Sequence, residues 1–367
     1  MKIQFVNYSF VSPVKGFDTG VQRPIGGGEV QLLDLTHLLQ KKGFTVSVLQ
    51  SGPQAKEFEF QGIPVKQIVS RGRYKFNFEW AKHVDKNARL HLHDANHAWP
   101  FGKNYTATFH GVSWDLPYYG HSLTEKIDWM ARRKFFKTLI NYAIRTSNKI
   151  ASVDTFLLRY VQSEFPNYRD KITVIPNYVD LQKFKPLPTS KKNKQVILFP
   201  RNLTKSRGTE LMLHAFSQIT EKDVELWVVG TGPLKKEAEH AASKDKRIKL
   251  LGHVDHYKDM PKLYNQADIV VIPSLGVEGT SLSCLEAMAC GKPVIASNIG
   301  GLIDIIQNNE NGLLIPTYAD SLAKSIDSLL EDSKLRNKLG KNALARAKQF
   351  NKPDWEKQWL HFFENVG

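Results

Sequence analysis

Short apolar runs alternate along this chain with longer stretches in which apolar positions recur every three to four residues. The runs at 3–6, 46–49, 89–93, 106–109, 150–153 and 172–175 predict strands, and 29–42 predicts a helix after a loop ending at Gly28. Strands separated by helical segments imply βαβ units and a parallel sheet covered on both faces. Residues 180–194, with two prolines and a cluster of lysines, read as a linker. A second alternation follows, with strands at 196–200, 225–229, 248–250, 269–272 and 294–296. The pattern predicts an α/β protein of two doubly wound domains, 1–180 and 190–350, facing each other across a cleft. Ligands are expected beyond the carboxyl ends of the strands. In the final helical stretch, 352–367, Trp355, Trp359, Phe362 and Phe363 form an aromatic stripe, and that helix is expected to pack back on the first domain.

Composition narrows the class. With 367 residues, 41% hydrophobic and 24% charged, the chain is globular rather than disordered, collagenous or coiled-coil. No apolar run approaches the roughly 18 residues needed to cross a bilayer. Met1-Lys2 leads into a run that reads as the first strand, and no secretory signal is expected there, since one needs a longer apolar run and a small-residue cleavage site. Cys284 and Cys290 fall on different faces of one predicted helix, so no disulfide framework is expected and a reducing, cytoplasmic compartment is.

The net charge of +15 is unevenly spread: 24 basic against 14 acidic residues through Tyr178, and 27 against 22 after it. Two first-half stretches stand out, Arg71-Gly72-Arg73-Tyr74-Lys75-Phe76 and the helix predicted over 126–145, from Lys126 to Arg145. On that helix Trp129, Phe136, Leu139, Ile140 and Ala143 share one face, and Lys126, Arg133, Lys134 and Lys137 the other. The cationic face is either simply solvated or meets anionic lipid headgroups, where each cation adds on the order of 1 kcal/mol. No nucleic-acid signature accompanies the charge, so nucleic acid is not an expected partner.

Four motifs carry candidate chemistry. Gly26-Gly27-Gly28 precedes the first helix, where glycines let backbone amides approach an anion. It matches neither a P-loop nor a complete G-x-G-x-x-G fingerprint. His110 ends the 106–109 strand beside Gly111, placed to point into the cleft. His91, His93, Asp94 and His97 end an earlier strand; their alternating faces favour structural roles over a metal site. Arg201, Lys205 and Arg207 lie in the turn after the second domain's first strand and suit a diphosphate. Most specific is Glu278-Gly279-Thr280-Ser281-Leu282-Ser283-Cys284-Leu285-Glu286, two carboxylates eight residues apart around a predicted helix start. Such acceptor-only groups suit polyol hydroxyls, and Glu286, within an apolar helix, needs hydroxyls or amides to satisfy it.

Together these pieces resemble the group 1 (family 4) retaining glycosyltransferases of the GT-B fold, over nearly the whole chain. The resemblance rests on E-x7-E at Glu278 and Glu286, the glycine loop, the His110-Gly111 pair, and Val174-Ile175-Pro176-Asn177-Tyr178-Val179-Asp180. Val229-Gly230-Thr231-Gly232-Pro233, Gly300-Gly301 and Asn311-Gly312-Leu313-Leu314 add to it. It implies a nucleotide-diphosphate sugar donor and a glycan or lipid-linked acceptor, in polysaccharide or glycolipid biosynthesis. It implies that Arg201 and a second cation, Arg207 by register or else Lys205, neutralise the diphosphate, and that Glu286 accepts from the ribose. Glu278 and the amides of Gly279, Thr280, Ser281 and Leu282 would orient the transferred sugar. Gly27 and Gly28 would close on the phosphates, and His110 would contact the sugar near the reacting bond. No cofactor or metal is implied, and the sequence contains no D-x-D. The basic stretches 71–75 and 126–145, rather than the resemblance, add the expectation of a cytoplasmic protein peripheral on the inner face of the cell membrane. Arg207 stands where the family has lysine, and Thr280-Ser281 replaces the usual Phe-Gly, which bears on the donor sugar. A nucleotide-sugar epimerase on the same fold and a non-catalytic sugar- or polyanion-binding protein are the competing readings.

Overall fold

The computed structural model describes residues 1–11, 27–70, 72–100, 104–111, 114, 122–189, 193–276 and 278–364. They form two compact units. The first takes the described residues within Met1–Trp114, Tyr118–Pro176 and Trp355–Gly367, and the second takes those within Asn177–Asp354.

In the first unit eight strands form one sheet: β1 (Lys2–Val6), β2 (Thr45–Gly52), β3 (Lys56–Phe60), β4 (Ile63–Val69), β5 (Arg89–Leu92), β6 (Tyr105–Phe109), β7 (Lys149–Ser152) and β8 (Ile172–Val174). Their order is β3-β4-β2-β1-β5-β6-β7-β8, and all neighbours run parallel except the β3–β4 pair. That hairpin was not foreseen from the pattern. It turns through Gln61 and Gly62 at φ 49° and 79°, the left-handed values a tight two-residue turn requires. The strand order reverses direction between β1 and β5, which makes the carboxyl ends of those two strands the switch point of the fold.

The helix Leu123–Thr146 begins with a capping box between Ser122 and Glu125. Leu139, Ile140, Ala143 and Ile144 bury its second half, while Trp129 and Phe136 are half-buried. The first half departs from the two-faced expectation, because Leu123, Ile127 and Met130 are 73%, 58% and 55% exposed. The helix Lys352–Glu364 ends in the first unit with Trp355, Trp359, Phe362 and Phe363 buried. Phe363 packs edge-on against Phe5, and His91 meets Trp359, Phe362 and Phe363 at ring separations of 5.2–6.2 Å.

In the second unit six parallel strands follow the order β11-β10-β9-β12-β13-β14. They are β9 (Gln195–Pro200), β10 (Val224–Val229), β11 (Ile248–Gly252), β12 (Ile269–Ile272), β13 (Val294–Ser297) and β14 (Leu313–Ile315). Successive residues feed opposite faces: Ile197, Phe199, Val271 and Ile295 enter one core, and Leu198, Val270, Ile272 and Ala296 the other. This is why the strands read as unbroken apolar runs. The three-residue β14 is an addition to the pattern read from sequence. Here the order reverses between β9 and β12, whose carboxyl ends carry Arg201 and Ser274.

Candidate active site

Each unit gathers polar side chains at its switch point. In the second, β9 ends at Pro200, and Arg201 follows as a buried guanidinium, 8% exposed. Glu278, in the loop between β12 and the helix Leu282–Ala289, is equally buried. Arg201 Nη2 donates to Glu278 Oε2 at 2.5 Å and to Ser274 Oγ at 2.9 Å, and Ser274 Oγ donates to the same carboxylate oxygen at 2.8 Å. Arg207 pairs with that oxygen as well. Burial alone would raise the Glu278 carboxyl, but the two guanidinium groups outweigh it and hold it below its ordinary value. Burial lowers Arg201, partly offset by Glu278. Lys205 is solvent-exposed, so the structure groups Arg207, not Lys205, with Arg201 on one carboxylate.

Glycines allow these loops to meet. At Gly208, φ is 77° and a Cβ would lie 1.9 Å from the Pro273 carbonyl oxygen, so the turn carrying Arg207 packs backbone to backbone on the end of β12. A Cβ on Gly301 would fall 2.4 Å from the Gly279 carbonyl carbon, and the Gly301 N–H donates to the Glu278 carbonyl at 2.9 Å. The Gly279 loop is thereby fixed from behind. Asn177 Nδ2 adds a bond to the Thr280 carbonyl at 2.9 Å. Ser281 is the N-cap of the helix Leu282–Ala289, with no side-chain cap bond; its hydroxyl accepts weakly from Arg201 Nη1 at 3.4 Å. The first amides of that helix, beside two guanidinium groups, favour an anion.

Glu286 lies deeper in the same helix, 5% exposed. His256 Nε2 meets Glu286 Oε1 at 2.7 Å, and the Tyr264 hydroxyl donates to Oε2 at 2.9 Å. Each oxygen keeps a lone pair for a further donor. Burial lowers His256, but the bond and charge of Glu286 outweigh it and leave its pKa raised. Burial and the neighbouring carboxylate push the Tyr264 phenol up, so it stays a donor. Ser274, His256 and Tyr264 were not foreseen. The sequence signal for a partner was the cost of burying Glu286, which says that a donor exists without saying where.

In the first unit the helix Gly27–Lys41 follows β1, and Gly27 and Gly28 are its first residues; Gly26 lies outside the described residues. His110 follows β6, its Nε2 donating to the His93 carbonyl at 2.7 Å and its ring 4.5 Å from that of His93. A Cβ on Gly28 would lie 3.8–3.9 Å from the His110 ring, which brings the glycine turn and His110 together. Burial lowers the His110 pKa, so the ring is neutral at pH 7. His91 sits between the Thr106 and Thr108 hydroxyls at 2.8 Å each, with its pKa lowered to about 3 by burial. His97 bonds Asn77 at 2.7 Å. Among the described residues no group of three His, Cys, Asp or Glu side chains is arranged to hold a metal ion.

Two family descriptions match the chain in succession, Glycosyltransferase Family 4 over residues 25–183 and Glycosyl transferases group 1 over 182–346. The chain belongs to the group 1, family 4 glycosyltransferases. The phosphatidyl-myo-inositol mannosyltransferase of Mycolicibacterium smegmatis is 25% identical over 368 residues, covering 93% of this chain and 90% of that protein. YtcC of Bacillus subtilis, named as a glycosyltransferase, is 30% identical over 220 residues, and that match spans about half the length of each (53% and 54%). Among solved structures, a sucrose-phosphate synthase from Thermosynechococcus elongatus superposes with a TM-score of 0.79 at 20% identity, covering 100% of this chain and 98% of that one. The fold is GT-B, built of two Rossmann-like domains.

Proposed function

We propose that this glycosyltransferase moves a hexose from a nucleoside-diphosphate sugar to a lipid-linked or glycan acceptor, with retention of configuration and without a metal ion. The observation that carries the reading is the Arg201–Glu278–Arg207 cluster, with Arg201 and Glu278 buried and Arg207 partly exposed, at the switch point of the second sheet beside a helix N-terminus. A diphosphate entering there takes up both guanidinium groups, which do the neutralising that a metal ion would otherwise supply. Glu278 is then released to accept from sugar hydroxyls, and Glu286 uses its remaining lone pairs for the ribose. The bond from the anomeric carbon to the diphosphate oxygen breaks on the face where the acceptor oxygen attaches, and the acceptor proton passes to the leaving phosphate. Arg201 stabilises the charge on that phosphate, and His110, Gly27 and Gly28 are the first unit's contacts to the donor.

The acceptor side is read from charge and exposure. No helix among the described residues is long and apolar enough to span a membrane. The exposed Leu123, Ile127 and Met130 lie among Lys126, Lys134 and Lys137, a combination that suits the surface of an anionic bilayer at the inner face of the cell membrane. The similar mannosyltransferase acts, by its name, on a phosphatidylinositol.

The test is incubation with UDP-, GDP- and ADP-sugars, with and without membrane lipid extract, in the presence of EDTA. Acceptor-dependent release of nucleoside diphosphate, lost in Arg201→Ala, is expected. Interconversion of the sugar without an acceptor would establish the epimerase reading, and absence of nucleotide-sugar binding at millimolar concentration would overturn both.

A further inference from the structure

His93 joins three elements at the switch point of the first sheet. It follows β5 directly, and its N–H donates to the Val6 carbonyl at the end of β1, 2.9 Å away. Its carbonyl accepts from His110 Nε2 at 2.7 Å, at the end of β6. Its ring reaches in the third direction, Nε2 donating to the Gly28 carbonyl at 2.8 Å, in the first turn of the helix Gly27–Lys41. The residue is 1% exposed, and Nδ1 is buried with no hydrogen-bond partner. Packing alone does not call for that arrangement, because an apolar side chain would fill the space without stranding a ring nitrogen. What an imidazole adds is a single donor aimed at the glycine turn.

We propose that His93 is the positioning residue of the donor-facing half of the first unit, tying the Gly28 turn and His110 into one hydrogen-bonded chain. The inference rests on the reading of Gly28 and His110 as donor contacts. The chain also fixes tautomers. Both rings meet carbonyl oxygens, which only accept, so His93 and His110 each carry their proton on Nε2. His110 Nδ1 is left as an acceptor, able to read a sugar hydroxyl and unable to donate to a phosphate oxygen. Burial keeps both rings neutral.

The experiment compares the full-length wild type with His93→Leu and His93→Gln. Gln carries an N–H that reaches the Gly28 carbonyl, whereas Leu carries none. His93→Leu is expected to lower kcat/KM for the nucleotide sugar on the order of ten-fold, to leave UMP or GMP binding unchanged, and to be rescued in large part by Gln. Leu and Gln variants that lose activity in proportion to a common fall in melting temperature would reduce His93 to a structural residue and overturn the proposal. In 15N-histidine-labelled wild type at pH 7, His93 and His110 are expected as neutral Nε2–H tautomers; an Nδ1–H tautomer at His93 would also overturn it. A wild type that turns over no nucleotide sugar would instead sink the transferase reading, a result the tautomer measurement keeps separate.

Discussion

Glu278 Oε2 and Arg201 Nη2 lie 2.5 Å apart with both side chains buried, so the carboxylate holds the cation for which a diphosphate would compete. Removing one partner of a buried ion pair costs about 3–5 kcal/mol, because the other charge is left unpaired. Glu278→Gln is therefore expected to melt several degrees below wild type. Added UDP or GDP is expected to raise its melting temperature more than that of the wild type, since the diphosphate replaces the missing charge. Thermal-shift titration measures both, and equal increments would show that the anion does not reach the two arginines. The pH dependence has a definite sign. The folded-state carboxyl lies below its ordinary 4.5, so the pair's contribution is complete above that pH and is lost as pH falls through the folded value.

Glu286 and His256 give the opposite pH dependence. The His256 pKa is raised above 6.5 in the folded protein. Its contribution is therefore complete below pH 6.5 and lost as pH rises through the folded value. Melting temperatures at pH 6.0 and 8.5 for wild type and His256→Gln are expected to show a wild-type advantage at the lower pH that shrinks at the higher. A constant difference would mean that the imidazole stays neutral. Tyr264→Phe, which removes the second bond to Glu286, is expected to weaken UDP or GDP binding by about three- to ten-fold, near 1 kcal/mol, in calorimetry.

What was legible in the sequence follows from distance along the chain. Strands such as β9 and β12 stood out because residues feeding two cores, Leu198 and Phe199 for example, are all apolar. Strand β3 did not, because Lys56, Glu57 and Glu59 face solvent and leave only Phe58 and Phe60 as a signal. Glu278 and Glu286 were readable through their spacing across one helix start. Their partners were not: His256 and Tyr264 are 30 and 22 residues from Glu286 along the chain, where no local spacing links them, and Ser274, four residues before Glu278, belongs to no motif of its own. The glycine pair Gly300-Gly301 could be read only as a family mark. In the fold it is the floor against which the Gly279 loop rests.

That floor can be tested directly. A Cβ at Gly301 would lie 2.4–2.8 Å from backbone atoms of Gly279 and Thr280, contacts no side chain makes without displacing the loop. Gly301→Ala is expected to push Gly279–Ser281 away from Arg201 and to weaken nucleotide-sugar binding at least ten-fold, measured by calorimetry. Gly28→Ala makes a contrast, because its Cβ would meet the His110 ring at an ordinary 3.8 Å. It is expected to keep the wild-type melting temperature and raise the donor KM by filling space beside His110. A wild-type KM would remove Gly28 from the donor contacts.

Leu123, Ile127 and Met130, spaced four and three residues apart, form one exposed apolar strip on the helix Leu123–Thr146. Each is more than half exposed, so changing all three to serine is expected to leave the melting temperature within a degree or two of wild type. Lys126, Lys134 and Lys137 would each contribute on the order of 1 kcal/mol to attraction by an anionic surface, an effect that salt screens. Flotation with phosphatidylglycerol-containing vesicles is therefore expected for the wild type at low salt, weaker at 0.5 M salt and lost in the triple serine variant. Retention by the serine variant would assign binding to charge alone. Absence of wild-type flotation on anionic vesicles would make the strip an ordinary exposed surface and leave the acceptor to be sought among soluble glycans.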